Sequence, residues 1–150
     1  MNRRMLSRSQ GGFTTCVVLR IEPNGAVIVA NAGHLAPYLS GQEIAVENGL
    51  PLGIAAETDY PEVTIQLPVG AQLTLYTDGV VEARARSGEL FGFDRAAALS
   101  MQSAEVIAQT AQSFGQDDDI TVLTVTLASS ALAPETPSRL PWSATPVLER

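Results

Sequence analysis

The sequence predicts an α/β fold of the α+β kind, in which mostly antiparallel strands outnumber one or two complete helices. Three observations carry this prediction. Apolar runs of strand length are separated by turns rich in Gly, Pro and Asn. Only the segments 93–100 and 103–114 have the composition and length of helices. So little helix cannot cover a sheet on both faces, which is typical of part of a larger layered sandwich.

The first half of the chain alternates extended segments with tight turns. "FTTCVVLRIE" and "AVIVANAG" predict two antiparallel strands joined by the turn Pro23–Gly25. "YLS" and "EIAVE" predict two short strands on either side of Gly41 and Gln42. Successive strands usually lie side by side, so we interpret this half as a β-meander.

The second half combines strands with the two helical segments. "VTIQLP" alternates apolar and polar residues like a half-buried strand, and "LTLYTD" and "DDDITVLTVTL" predict two more strands. Ser103 is expected to cap the second helix, with Glu105 near its positive end.

The two ends of the chain differ from the part between them. Residues 1–10 have the composition of the end of a helix whose beginning is missing, and Gly11 and Gly12 interrupt it. Residues 128–150 are rich in Ser, Ala and Pro without any period, so we expect a disordered tail. Residues 11–127 are therefore the expected ordered part.

Composition excludes several classes of protein. The chain has 150 residues and a net charge of −7, which argues against nucleic acid as the main partner. A single cysteine, Cys16, rules out an internal disulfide and a cysteine-based zinc site. No apolar run approaches the roughly 20 residues of a membrane span, and no signal peptide is evident. We therefore expect a cytoplasmic protein without a membrane or nucleic-acid partner.

Carboxylates occur at the ends of two predicted strands. Asp78 follows "LTLYT", and the trio Asp117, Asp118 and Asp119 precedes "ITVLTVTL". If these strands are antiparallel neighbours, the four side chains meet at one edge of the sheet, where a hard divalent cation would offset their repulsion. The alternative from the residues alone is an ordinary Asp-Gly turn and a solvated acidic loop.

Four segments, taken in order, resemble one known family. They are "NAGHLAPYL", "GLPLGI", "LTLYTDGVVEARARSGELFGFDR" and "DDDITVLTV". The chain is similar over residues 11–127 to the C-terminal part of SpoIIE/RsbU-type phosphatases, a bacterial branch of the metal-dependent PPM-type serine/threonine phosphatases. The resemblance implies a partial PPM-type α-β-β-α sandwich.

The resemblance also implies a metal site and a reaction. Asp78 matches the metal-binding Asp of the family's "TDG" motif, and Asp118 matches that of its "DDIT"-like motif, with Asp119 beside it and Asp117 outside it. The family uses two Mn²⁺ or Mg²⁺ ions to activate a water that attacks phosphoserine or phosphothreonine. The implied partner is a phosphoprotein, typically an anti-sigma-factor antagonist.

His34, the only histidine, lies in "NAGH" at the end of a predicted strand. The resemblance leaves its role open: a position near the substrate or action as a general acid on one hand, or a residue that fixes the turn through hydrogen bonds on the other.

The chain departs from the family pattern in one respect. The family's "GGDFYD"-like and "GDVxGHG"-like segments, which supply further metal ligands, have no counterpart in it. We therefore expect the chain alone to bind metal weakly and to be nearly or fully inactive. The alternative is a non-catalytic regulatory or interaction module that keeps the sheet, whose exposed edge would pair with a partner or with a second copy in a homodimer.

Overall fold

The protein folds into two stacked sheets, and three of the four helices in the described residues pack on the outer face of the second. The structure is a computed structural model that describes residues 1–6 and 12–129. Most of the expected disordered tail, 128–150, and part of the expected N-terminal helix, 1–10, lie outside these described residues. The helices are α1 Asn2–Leu6, α2 Asp78–Val81, α3 Gly92–Leu99 and α4 Ala104–Phe114. The strands are β1 Cys16–Ile21, β2 Ala26–Ala32, β3 Tyr38–Leu39, β4 Gln42–Glu43, β5 Asn48–Gly49, β6 Glu62–Gln66, β7 Gln72–Tyr76 and β8 Val122–Thr126.

The first sheet is built around β2. This strand pairs antiparallel with β1 on one side. On its other side it pairs antiparallel with β6 and, near its end, parallel with the short β5. The apolar residues of β2 alternate, so that Val27 and Val29 are completely buried.

The second sheet has the order β4-β3-β7-β8. The prediction of a simple meander is therefore wrong, because β3 and β4 leave the first sheet and pair beside β7. The physical reason is burial: Tyr38 of β3 stacks on Tyr76 of β7, with ring centroids 5.7 Å apart, beneath the helices. The hairpin β1–β2 and the antiparallel pair β7–β8 are as predicted, whereas the strand expected over 43–47 is reduced to β4 and begins at Gln42, which the prediction placed in the turn.

The core has two parts, one on each face of the second sheet. Between the sheets, Leu73 and Leu75 of β7 pack with the valines of β2. On the other face, Tyr76 packs against α2, α3 and α4, where Ile107 of α4 is fully buried. Ser103 caps α4, as predicted, and its Oγ accepts a hydrogen bond from the Val106 N–H at 3.3 Å.

This arrangement confirms the predicted fold class, α+β with mostly antiparallel strands in two layers. Two of the four helices are single turns, so α3 and α4 are the one or two complete helices that the sequence predicts. None of the helices in 1–6 and 12–129 is long and apolar enough to cross a membrane.

Candidate active site

The tips of β7 and β8 meet, as the sequence predicts. The antiparallel register pairs Tyr76 with Val122 and continues beyond the strands. The Thr77 N–H donates to the Thr121 carbonyl at 3.0 Å, and the Thr121 N–H donates to Thr77 Oγ1 at 3.0 Å. These hydrogen bonds bring the start of α2 against the acidic turn that precedes β8.

Asp78 begins α2 and does not end β7 as a strand residue. Its carboxylate is exposed, and Oδ1 accepts a hydrogen bond from the Gly79 N–H at 3.1 Å. Gly79 is buried against the acidic turn, so closely that a Cβ at this position would lie 2.4 Å from the Asp119 carbonyl oxygen. Asp78 and Gly79 thus begin α2, and the absence of a side chain at Gly79 lets the main chain of the acidic turn approach closely.

The acidic trio divides into two parts. Asp118 Oδ1 accepts a hydrogen bond from the Asp119 N–H at 2.7 Å, and the Asp119 carbonyl accepts one from Thr77 Oγ1 at 3.3 Å. Asp117 turns aside and forms an ion pair with Arg84, with Nε and Oδ2 3.5 Å apart. The turn that carries Asp118 and Asp119 is therefore the part joined to the Asp78 tip.

His34 enters the same region from the first sheet. Its Nδ1 lies 3.2 Å from Thr15 Oγ1. Burial lowers the pKa of His34 below its ordinary value, while the charge of Asp78 and the Tyr76 carbonyl act in the opposite direction. The imidazole is half-buried and lies close enough to Asp78 for the carboxylate charge to affect its pKa. The net effect favours the neutral imidazole.

A cavity of about 290 Å³ opens between the two sheets at this point. Its walls come from β1, β7 and β8, and the residues that line it are Val17, Leu19, His34, Leu75, Tyr76, Thr77, Thr121 and Leu123. A larger cavity of about 820 Å³ lies on the outer face of the first sheet, beside α1, and none of the predicted site residues lines it. Of the predicted site residues, only His34 lines the smaller cavity, together with Thr77 and Thr121 from the two strand tips.

The predicted ligands have the right chemistry for a hard cation, since Asp78, Asp118 and Asp119 offer oxygen atoms. They do not form a complete cage. Within residues 1–6 and 12–129, no group of three or more His, Cys, Asp and Glu side chains is placed to hold a metal ion. The described residues therefore supply at most one side of a metal site.

Sequence reasoning missed the polar residues that join the site together. Thr77 and Thr121 connect the two tips, and the Asn31 amide hydrogen-bonds to the main chain of His34. Asn31 was detectable in principle, because it is a polar residue at a buried position of an otherwise apolar strand. The threonines resemble any other strand threonine, so their partners could not be identified from the sequence.

Solved structures with a similar fold include PP2C and phosphatase domains. The SiaA PP2C domain of Pseudomonas aeruginosa is 22% identical with a TM-score of 0.70, over 84% of this chain and 56% of that one. The manganese-soaked SpoIIE phosphatase domain of Bacillus subtilis is 22% identical with a TM-score of 0.56, over 96% and 68%. The RsbU and RsbW domains of a Mycobacterium tuberculosis protein are 25% identical with a TM-score of 0.58, over 81% and 38%.

These likenesses and the layered sheets define the class of the protein, a PPM-type (PP2C-type) phosphatase fold of which the chain spans part. The chain belongs to the SpoIIE family, since the family model "Stage II sporulation protein E (SpoIIE)" matches residues 1–128. It is therefore a member of a phosphatase family. A sequence comparison with curated proteins gives no significant match.

Proposed function

We propose that the chain contributes to a metal-dependent phosphatase that hydrolyses phosphoserine or phosphothreonine on a protein. The observation that carries the proposal is the β7–β8 register, which joins the Asp78 tip to the turn bearing Asp118 and Asp119. Membership of the SpoIIE family supports the same reaction class.

The proposed metal ligands are Asp78, Asp118 and Asp119, and the proposed ions are Mn²⁺ or Mg²⁺, two in a complete domain. Bound ions of this kind lower the pKa of a coordinated water and neutralise charge on phosphoryl oxygens. The exposed carboxylates of the two tips are acceptors only, which suits a cation and would repel an unaccompanied phosphate.

The other side chains of the site have proposed roles of their own. Thr77 holds the tips together through both functions of its hydroxyl, since it donates to Asp119 and accepts from Thr121. His34 stands near the substrate and acts as a general acid, a role supported by the charge of Asp78, which favours the protonated imidazole and raises its pKa against the larger lowering effect of burial.

We further propose that residues 11–127 are the C-terminal portion of a SpoIIE-like phosphatase domain. The chain spans 38% and 56% of two of the matched structures, so a third or more of each has no counterpart in it. Because the described residues lack a group of three metal-binding side chains, we expect weak metal binding and little or no activity from the chain alone.

The proposed substrate is a cytoplasmic phosphoprotein, with an anti-sigma-factor antagonist as the first candidate. One of the similar structures pairs an RsbU domain with an RsbW domain, which makes a regulatory protein a reasonable partner to test.

Titration calorimetry with Mn²⁺ tests the proposed site. We expect weak binding by the chain, loss of binding in Asp78→Asn, and unchanged binding in Asp59→Asn, whose exposed carboxylate belongs to the lining of the larger cavity. Any hydrolysis of a phosphoserine peptide should likewise be weak in the unmodified chain, lost in Asp78→Asn and unchanged in Asp59→Asn. Absence of Mn²⁺ binding would contradict the proposal, and robust hydrolysis abolished by Asp78→Asn would contradict only the expected weakness.

A second candidate function is a non-catalytic interaction module. The incomplete set of ligands favours it, and so do the outer strands β1 and β8, which each have a single strand neighbour among the described residues. An edge of this kind can pair with a strand of another protein or of a second copy. Such a module would gain nothing from Mn²⁺, so the same calorimetric titration separates the two functions.

A further inference from the structure

Asn31 is a buried polar residue at the end of β2. Its exposed fraction is 1%, and its main chain is held between Val17 of β1 and Asn48 of β5. An amide in such a place is unfavourable unless both its oxygen and its nitrogen find partners. At this position an apolar side chain would fill the same space without that penalty, so the amide requires a specific explanation.

The oxygen and the nitrogen of the Asn31 side-chain amide both form hydrogen bonds with the main chain of His34. Oδ1 accepts a hydrogen bond from the His34 N–H at 2.8 Å, and Nδ2 donates to the His34 carbonyl at 2.9 Å. Two such bonds fix the peptide groups on both sides of His34. The direction in which the imidazole leaves the main chain is thereby set.

The main chain between Asn31 and His34 has little room for another conformation. Gly33 has a φ of +71°, and a Cβ at Gly33 would lie 2.5 Å from Pro51 Cγ. The reversal therefore depends on glycine and is confined by the neighbouring loop. At its end the imidazole reaches Thr15, with Nδ1 and Oγ1 3.2 Å apart, and it lines the cavity between the sheets with Thr77.

We propose that Asn31 is a positioning residue: its amide holds the imidazole of His34 in the gap between the two sheets, next to the strand tip that carries Asp78. The consequence for hydrolysis rests on the proposed function, whereas the placement of the ring does not. Asn31 itself is buried beneath the turn and acts through His34.

The single histidine makes the placement measurable in the full chain, because every imidazole signal in its NMR spectrum comes from His34. We expect nuclear Overhauser contacts from the ring protons to Thr15 and Val17. Asn31→Ala should remove these contacts. Asn24→Ala is the matched control, since the Asn24 side chain orders the turn at the other end of β2 by accepting from the Ala26 N–H at 3.0 Å.

A second variant separates the two hydrogen bonds. Asn31→Asp keeps the acceptor for the His34 N–H and loses the donor to the His34 carbonyl, so the ring contacts should weaken without disappearing. Contacts that persist unchanged in both Asn31 variants would overturn the proposal. If both variants unfold while Asn24→Ala does not, Asn31 serves the core and the proposal is likewise wrong.

Kinetics of Mn²⁺-dependent hydrolysis give the second readout. Asn31→Ala and His34→Asn should each lower kcat about tenfold or more with little change in KM, and the double variant should be no slower than His34→Asn. Losses that add would show that Asn31 acts otherwise than through His34. Inactivity of the unmodified chain is compatible with the proposed function, which Mn²⁺ binding tests separately, and the ring contacts then decide this inference.

Discussion

Gly79 determines how closely the two strand tips approach each other, because the absent side chain leaves room for the Asp119 carbonyl. A methyl group would lie 2.4 Å from that oxygen, which is too close for any real contact, and the obstacle is backbone. The acidic turn would have to move away from Asp78 to make room. The distance between the proposed ligands therefore depends on a residue that carries no chemistry itself.

Gly79→Ala is expected to destabilise the fold by about 1–3 kcal/mol, the usual effect of overpacking. It should also weaken Mn²⁺ binding, since the two tips separate. Urea unfolding and titration calorimetry measure the two effects. Gly12→Ala is the control, because a Cβ at Gly12 meets nothing within 4 Å and the backbone there requires no positive φ. Equal effects of the two substitutions would contradict the explanation.

The stability of the protein should fall as the pH is lowered below about 6.5, the unperturbed pKa of histidine. Burial lowers the pKa of His34 in the folded state, so the unfolded state binds the proton more readily. The stability that depends on neutral His34 is present above the unfolded pKa and is lost as the pH falls from there toward the lower folded value.

Unfolding midpoints in urea at pH 7.5 and at lower pH measure this dependence against His34→Gln, which cannot take up the proton. The carboxylates titrate in both proteins, so the difference between them reports His34. A pH dependence that is identical in the two proteins would contradict the lowered pKa.

The Tyr76 hydroxyl is buried and makes no hydrogen bond of good geometry among the described residues, although it lies close to the Tyr38 hydroxyl. Burial raises its pKa, which keeps the phenol neutral. Tyr76→Phe should therefore leave stability unchanged or raise it by up to about 1 kcal/mol, because the uncompensated desolvation disappears. Tyr38→Phe should instead lose about 1 kcal/mol, since the Tyr38 hydroxyl donates to Glu43 Oε2 at 3.3 Å. Thermal unfolding of the two variants makes the comparison.

At the scale of single residues, the sequence predicted the junction of Asp78 with the acidic turn and missed the groups that hold it. The prediction of this junction required only that the two strands pair antiparallel, and the β7–β8 register confirms that pairing. The assignment of Asp78, Asp118, Asp119 and His34 as site residues stays a prediction. Thr77 escaped because the partners of its hydroxyl, the Asp119 carbonyl and the Thr121 N–H, lie more than forty positions away.

At the scale of elements, the apolar patterns identified the five longer strands but neither the bounds of the short ones nor the sheet to which they belong. β3 and β4 are two-residue strands, too short for alternation to show which face they bury. Their sheet is chosen by tertiary packing of Tyr38 on Tyr76, which no local pattern contains. Similarly, β5 joins β2 in parallel through only two residues.

The helix α4 depends on its cap, which the sequence did reveal. Ser103→Ala should lower the free energy of unfolding by about 1 kcal/mol, because the Val106 N–H loses its acceptor. Ser103→Asp restores an acceptor and adds a charge that favours the helix N-terminus, so its stability should equal or exceed that of the unmodified protein. Chemical unfolding of both variants measures this, and equal losses in both would contradict the capping role.

At the scale of the whole molecule, the packing of the two sheets explains why the candidate site is well ordered although the described residues bring no three metal-binding side chains together. The second sheet is packed on both faces, so the tip that carries Asp78 is held firmly by the buried residues of β7 and α2. The first sheet has an open outer face with a large cavity, where Val18 of β1 is 55% exposed. The small amount of predicted helix indicated that part of the sheet surface would lack a helical cover. The sequence did not indicate which of the two sheets the helices cover.

Binding of Mn²⁺ to a folded site must stabilise the folded molecule, since the unfolded chain does not hold the carboxylates together. At a free Mn²⁺ concentration ten times the dissociation constant, the gain is about 1.4 kcal/mol, which corresponds to a rise of a few degrees in Tm for a domain of this size. We expect this rise in the unmodified chain and in Asp59→Asn, and none in Asp78→Asn. A rise that Asp78→Asn retains would locate the ion elsewhere, and no rise in any of them would favour the interaction module, whose stability does not depend on a metal.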